Sequence, residues 1–484
     1  MGAPAPRVAF RTLGCKLNQH ESDSLAADFQ AMGYTIVSFE ESADVYVLNT
    51  CTVTNKADRK SRNLLYRTLR TAQPAEAQPA EADTAAENAL VVLTGCFAES
   101  HKQTYAGDNR FLLVDNPRKS HLVELVEARR RGELADPEAP DPNLFKYHAA
   151  SVYHTRSTIK VQDGCNNFCT FCIVPYVRGT AASRPHAEIR ADVERSVEAG
   201  TREIVLTGVN MSRYKDEGLS FSAMVEKVLS VPGDFRVRIS SIEPDSLDDR
   251  FFELLGHPKM SPHLHLCLQS GSDRILLKMR RQYDTNRFYD YVERIRAAQP
   301  DFNLTTDVIV GFPGESEEDF ARTAEMVRDI GFSHVHTFPY SLRSRTRAAR
   351  MDGHVSTRVK TERAEIIRNI AAQNKRRYRS RFIGREQTLL VERSRPGPGR
   401  EHGYGEHYVP IRIEGFESSG PAHQALRAEQ ARPGPGPAPR PAQTEPLDEA
   451  SWNEFQRVFI TALSDGEEPL LVGRVAPAGG SELP

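Results

Sequence analysis

The sequence is short of three things, and each shortage excludes a class of protein. Cysteine is sparse, seven in 484 residues, too few for a disulfide-stapled secreted scaffold. In a reducing compartment, any that cluster serve metal or redox chemistry instead. Long apolar runs are missing: nothing approaches the roughly eighteen consecutive apolar residues of a membrane-spanning helix. The opening MGAPAPRVAF has no apolar signal core, and Pro6 stands where a myristoylation pattern needs Ser or Thr. The expectation is a soluble, cytoplasmic protein with no membrane partner. Net charge is also missing, since 63 Lys and Arg against 65 Asp and Glu leave −2. Any nucleic-acid surface must therefore be local.

What is present is a globular balance, 39% apolar and 26% charged, with length for about three domains. From Arg7, strand-like runs RVAFRTL, DVYVLN and ALVVLTG alternate with helix-period segments, one of them over about 20–32 ending at Gly33. That alternation predicts a parallel α/β sheet whose strand carboxyl ends form the ligand edge. Each run ends just before a cysteine: Cys15, Cys51 and Cys96. Residues 71–89 hold eight Ala, four acids and two Pro, the composition of an exposed insertion. A charged, Pro-rich stretch over 128–150 reads as a linker between this domain, 1–127, and the next.

From Ser151 to about 380, six β-like runs recur, each followed by a helix-period stretch: STIKVQ, EIVLTG, FRVRIS, HLHLCLQ, LTTDVIVG and HVHTFPY. They predict a partial (βα)6 barrel. Over 381–476 the pattern shortens to QTLLVE, HYVPIRI, FQRVFITAL and PLLVGR, as in a small antiparallel, OB-like β-barrel. A Pro/Gly-rich insert over about 417–448 interrupts it.

The first barrel run leads into QDGCNNFCTFCIVPYVRG, where Cys165, Cys169 and Cys172 form C-x3-C-x2-C. Three thiolates in one loop can hold three corners of an iron cluster and leave one iron open. A structural zinc site would need a fourth ligand nearby, and the next candidate in sequence is His186, fourteen residues on. Iron–sulfur is the better reading. Cys15, Cys51 and Cys96 are separately unremarkable, because a lone Cys at a strand end is often a packed small residue. Their shared placement suggests a second three-thiolate site.

The motif and its position resemble the radical SAM superfamily. TLGCKLN, NTCTVT, LTGC, the central barrel and the terminal small barrel together resemble the methylthiotransferases, with a C-terminal TRAM domain, across almost the whole chain. TLGCKLNQHES, SSIEPD, HLHLCLQSGSD and TTDVIVGFPGE look most like the tRNA-modifying members that act on threonylcarbamoyladenosine at position 37. They look less like the isopentenyladenosine branch or the branch acting on a ribosomal-protein aspartate. The resemblance implies two 4Fe-4S clusters, on Cys15/Cys51/Cys96 and on Cys165/Cys169/Cys172. Two S-adenosylmethionine molecules would serve each turnover, one methylating a cluster-held sulfur and one giving a 5′-deoxyadenosyl radical, so that adenine C2 gains a methylthio group. It places Phe171 against the adenine of S-adenosylmethionine, and Glu243, Gln269, Ser270 and Asp307 with the Gly311–Glu315 turn at the cofactor pocket. Ordinary turn and cap chemistry explains the last four equally well. Implied partners are a tRNA anticodon stem-loop, a sulfur donor and an electron donor such as flavodoxin or ferredoxin.

Two basic segments suit an RNA partner. Residues 356–395 carry twelve Lys or Arg against four Glu, and Lys56, Arg59, Lys60, Arg62, Arg67 and Arg70 surround a single Asp58. His263, His265, His334 and His336 alternate on two strands and receive no role. Two departures from the family pattern stand out: Cys267 where Pro is expected, read as core filler, and Arg345 where Gly is usual. The rival of another class is a non-catalytic iron–sulfur or zinc RNA-binding protein, which has no need of a six-unit barrel with an open-iron loop.

Overall fold

Strands at the centre of a parallel sheet are covered on both faces and read as continuous apolar runs. VYVLNT and LVVLTG behave this way: all of Val45–Thr50, and all of Leu90–Gly95 but its first residue, are buried. In a computed structural model, which describes residues 4–72, 89–133, 144–147, 155–392, 402–414, 453–466 and 468–476, they form the middle of the first sheet. Its elements are β1 (Arg7–Thr12), α1 (Lys16–Ala31), β2 (Thr35–Val37), β3 (Val45–Thr50), α2 (Asn55–Ala72), β4 (Leu90–Gly95), α3 (Cys96–Ser100), β5 (Leu112–Val114) and α4 (Leu122–Arg130). All pairs are parallel, in the order β2-β1-β3-β4-β5. Helix α1 begins four residues earlier than its periodicity indicated, because Cys15, in an extended conformation, takes the N-cap position. The 73–88 part of the expected insertion lies outside the described residues. Within the expected linker, α4 continues to Arg130, and Tyr147 packs into this domain's core.

The second domain carries six parallel strands: β6 (Ser157–Lys160), β7 (Glu203–Thr207), β8 (Arg236–Ile239), β9 (His263–His265), β10 (Asn303–Val310) and β11 (His334–Pro339). They form two three-stranded sheets, β6-β7-β8 and β9-β10-β11. Single parallel bridges, Val237 to Met260 and Ile242 to Leu266, join them. The result is an open barrel with β6 and β11 at its two edges. Three helices matter below: α5 (Val174–Arg178), α6 (Glu317–Ile330) and α7 (Thr357–Ser380). A capping box between Ser316 and Asp319 starts α6, and Gly331 in the left-handed conformation ends it.

The third domain is a closed five-stranded barrel, β12 (Glu386–Val391), β13 (Gly403–Tyr404), β14 (Pro410–Ile413), β15 (Phe455–Leu463) and β16 (Leu471–Val475), ordered β12-β13-β14-β16-β15. Four pairs are antiparallel; β14 and β16 run parallel. A ring with an odd number of strands cannot alternate direction throughout, so an all-antiparallel closure is impossible. The expected insert at 417–448 lies outside the described residues. Much of the charge on α7 serves internal docking: Arg363 pairs with Glu315 and Glu317, Lys375 with Glu468, and beyond the helix Arg385 with Asp301. The basic run over 356–395 is thus only partly an open surface. No helix among the described residues is long and apolar enough to cross a membrane.

Candidate active site

Three neighbouring strands of the first sheet end at one level. Thr50 and Gly95 are register partners, so Cys51 and Cys96 leave β3 and β4 side by side. Leu13 N–H donates to Asn49 O (2.8 Å), bringing Cys15 to the same edge. Two glycines permit the approach. A Cβ on Gly14 (φ +113°) would lie 2.9 Å from Cys51 Cβ, and one on Gly95 (φ +91°) 2.5 Å from Thr50 O. Burial pushes the Cys51 thiol up to about 11 against the pull of Val53 N–H, and Cys96 and Cys15 are near enough to add to the rise. Burial raises Cys96 as well, opposed by Arg178 and Lys119. Thiols of this kind release protons when they take a metal.

The second trio occupies the loop between β6 and α5. Gln162 organises its start, donating to Asp163 O (2.8 Å) and Gly164 O (2.7 Å) while accepting from Asn210 N (2.7 Å). Thr170 fixes its middle, with N–H to Met279 O (3.0 Å) and hydroxyl to Lys278 O (2.9 Å). The sulfurs meet N–H donors: Asn167 N lies 3.5 Å from Cys165 Sγ and Arg281 Nη1 3.3 Å from Cys169 Sγ. Burial, reinforced by Cys169, pushes the Cys172 thiol up to about 12. The two trios adjoin, because Cys96 shares one apolar cluster with Ile173 and Val177, which follow Cys172.

Both donor sets are soft sulfur without a carboxylate, the chemistry that suits iron–sulfur clusters. A single zinc at about 2.3 Å per bond would draw its sulfurs to within about 4 Å of one another. Among the described residues, the three-ligand group gathered within 4.8 Å is instead His265, Cys267 and Asp307, on β9 to β10. The residues of both trios fit a three-thiolate cluster site.

Between the two sites lies a buried ionic hub that no local motif marks. Glu21 of α1 accepts from Lys119 (2.6 Å), Lys160 (3.3 Å) and Arg178 (3.0 Å), and Asp163 accepts from Lys160 (2.5 Å) and Arg178 (3.1 Å). Arg178 also donates to Asn18 Oδ1 (2.6 Å). Although burial opposes it, Arg178, Lys119 and Lys160 hold the Glu21 carboxyl well below its usual range. Three cations face two carboxylates here, and Cys15 and Cys96 lie within electrostatic reach of Arg178. The excess positive charge suits an anionic thiolate cluster. At the barrel rim, Arg343 donates to Asp58 (2.8 Å), Asn55 (2.9 Å) and Thr52 (2.8 Å), locking the start of α2 in place.

The expected pocket residues divide. Glu243 is ion-paired with Arg281, the same guanidinium that reaches Cys169, so it stands beside the second trio. Phe171 packs against an apolar cluster that includes Ile275, Ile309, Phe312 and Tyr340. Asp307 Oδ1 lies 3.3 Å from His265 Nε2 in the lumen. Gln269 (φ +67°) is held by its backbone, donating to Asp307 O and accepting from Ile309 N (2.8 and 2.9 Å). Ser270 is turned away, fully buried, with its hydroxyl 3.3 Å from Thr323 of α6. That contact ties its turn to α6. Glu315 holds its own turn, accepting from Gly311 N (2.6 Å) and Arg363 (2.6 Å). Arg345 is exposed and stacks over Tyr176, 5.1 Å from the ring centroid. Cys267 is buried but not mere filler, since its thiol faces His265 and Asp307. His334 Nε2 and His336 Nδ1, given no role above, lie 3.2 Å apart on the same side of β11. The basic residues of α2 are all solvent-facing, and among the described residues none is ion-paired.

Comparison with known proteins adds the family. Residues 159–327 match the radical SAM superfamily and residues 7–113 a family described as uncharacterized protein family UPF0004. The chain is 36% identical to the threonylcarbamoyladenosine tRNA methylthiotransferase MtaB of Thermotoga maritima, over 83% of this chain and 90% of that one. It is 35% identical to the MtaB of Bacillus subtilis, over 85% and 91%. A tRNA-2-methylthio-N(6)-dimethylallyladenosine synthase of Cereibacter sphaeroides is 33% identical, over 85% and 93%. Among solved structures, the radical S-adenosylmethionine methyltransferase TsrM of Kitasatospora setae shares the fold at 12% identity, with a TM-score of 0.52 over 71% of this chain and 74% of that one.

Proposed function

Because this chain belongs to the tRNA methylthiotransferases of the radical SAM superfamily, we propose that it places a methylthio group on C2 of N6-threonylcarbamoyladenosine at position 37 of tRNA. The supporting observation is the adjacency of the two cysteine trios, joined through Cys96, Ile173 and Val177. Sulfur insertion needs a sulfur-bearing site and a radical-generating site open to one carbon atom. Cys165, Cys169 and Cys172 would hold one 4Fe-4S cluster and Cys15, Cys51 and Cys96 a second, and two S-adenosylmethionine molecules would supply the radical and the methyl group, the sulfur coming from a separate donor.

The protein's own residues do the rest. Arg281 neutralises charge at Cys169 while Glu243 orients it. The Glu21–Arg178 hub fixes the first domain against the barrel. Burial of Cys96 with Ile173 and Val177 keeps water from the space where a radical would be quenched. The exposed cations of α2 meet tRNA phosphates beside the first trio. The electron and sulfur donors are separate partners, and a flavodoxin or ferredoxin fits the first role.

The threonylcarbamoyl target is favoured over the dimethylallyl one by the polar, cationic barrel lumen, where Arg238 and three histidines stand instead of an apolar pocket. The test is nucleoside analysis of tRNA from a strain lacking the gene. Methylthio-threonylcarbamoyladenosine should vanish while its unthiolated parent accumulates; its persistence would exclude the target.

A further inference from the structure

One cation in the barrel has no counter-ion among the described residues. Lys16, directly after Cys15, enters the lumen from the N-terminus of α1, and its Nζ lies 5.2 Å from the centroid of the Tyr408 ring. Tyr408 is delivered from the third domain by a tight turn, with its N–H on Gly405 O (2.9 Å) and φ of +56°. Around the same ring stand Arg238, 3.7 Å from its centroid, Arg156 at 5.7 Å, and the His263 ring at 4.9 Å.

The carboxylates near this group are already engaged. Glu203 takes ion pairs from Arg156, Arg236 and Arg238, and Glu392 takes one from Arg156. Four cations therefore face two carboxylates, and among the described residues Lys16 forms no ion pair. Its side chain is only half-buried, so it stays open to the lumen. His336, across the lumen, lies within electrostatic range.

A lumen with surplus positive charge and an unpaired amine is built to take an anion, and an apolar arm would leave the amine unsatisfied. C2 and C6 of adenine are meta positions of one six-membered ring. An N6 substituent on a base whose C2 meets the clusters must therefore lie in the same lumen. We propose that Lys16 binds the carboxylate of the threonylcarbamoyl arm and is a specificity-determining residue for this enzyme. The inference rests on the target proposed above. The same cation could instead meet a phosphate of the target nucleotide, and the experiment separates the two.

Reconstituted holoenzyme is assayed on anticodon stem-loops carrying threonylcarbamoyladenosine, its threoninamide analogue, or isopentenyladenosine. The wild type should lose about 10- to 100-fold in kcat/KM between acid and amide, the range of a charge-assisted contact. Lys16→Met should treat acid and amide alike, chiefly through a raised KM for the acid. Lys16→Arg should restore part of the discrimination. Iron content in each variant reports that the neighbouring Cys15 site is intact. Equal rates for acid and amide in the wild type, or full discrimination in Lys16→Met, would overturn the assignment. A uniform loss in Lys16→Met on all three stem-loops would also overturn it and assign the cation to a phosphate. No turnover of any acid-bearing stem-loop by wild type, with turnover of isopentenyladenosine, would refute the target itself.

Discussion

At the scale of single residues, the site depends on buried charges whose partners lie far apart in sequence. Glu21 and Arg178 meet at 3.0 Å across 157 positions. Removing one member of such a group strands the others, at a cost of about 3–5 kcal/mol. Glu21→Gln leaves Lys119, Lys160 and Arg178 facing Asp163 alone, and urea titration should show destabilisation of that order. The pH dependence has a definite sign. Glu21 and Asp163 are both held below their unfolded values, so their contribution is complete above the unfolded carboxylate range, about pH 4. It is lost as pH falls further, through the depressed folded values. Glu21→Gln should accordingly show a shallower loss of stability below pH 4 than wild type; an unchanged slope would show that the hub does not carry it. The six cysteines could be singled out in the sequence because three lie in one short motif and three at strand ends. Arg178, Glu21 and Arg281 could not, since nothing local marks a charge whose partner comes from another domain. Nor could Ser270's roles be separated, because a serine in a turn looks the same whether it faces a ligand or a helix.

At the scale of elements, strand ends set the cysteine spacing, and the glycines are what let the strands close up. Gly95→Ala would place a Cβ 2.5 Å from Thr50 O at a φ of +91°, so β3 and β4 must part where Cys51 and Cys96 emerge. Iron bound by the first trio should fall while that of the second is retained, which electron paramagnetic resonance of each site would read; wild-type iron at both sites would contradict this. Helix α2 makes a separable prediction. Replacing Lys56, Arg59 and Lys60 with Gln should weaken tRNA binding and flatten the dependence of log K on log salt by about 3, without altering thermal stability. An unchanged slope would place the RNA path elsewhere. The long strands and their order were legible from alternation. The three-residue strands β2 and β5 were not, being too short to show a period, and the parallel β14–β16 pair follows from strand parity rather than from any local signal.

At the scale of the whole molecule, three domains converge on one lumen. The first supplies Cys15, Cys51, Cys96 and Lys16; the second supplies Cys165, Cys169, Cys172 and the polar barrel wall; the third supplies Tyr408. The order of the three domains could be read from the changing period along the chain. Their mutual docking could not, because it is carried by Arg343, Arg236 and Arg156, each reaching a partner in a different domain.

The measurement that bears most directly on this arrangement is anaerobic reconstitution of wild type beside the triple variant Cys15→Ala/Cys51→Ala/Cys96→Ala, with iron, S-adenosylmethionine cleavage and methylthio transfer read on the same samples. The account expects about eight irons per wild-type chain and about four in the variant, with cleavage preserved and sulfur transfer abolished. Four irons in both, or methylthio transfer by the variant, would contradict it.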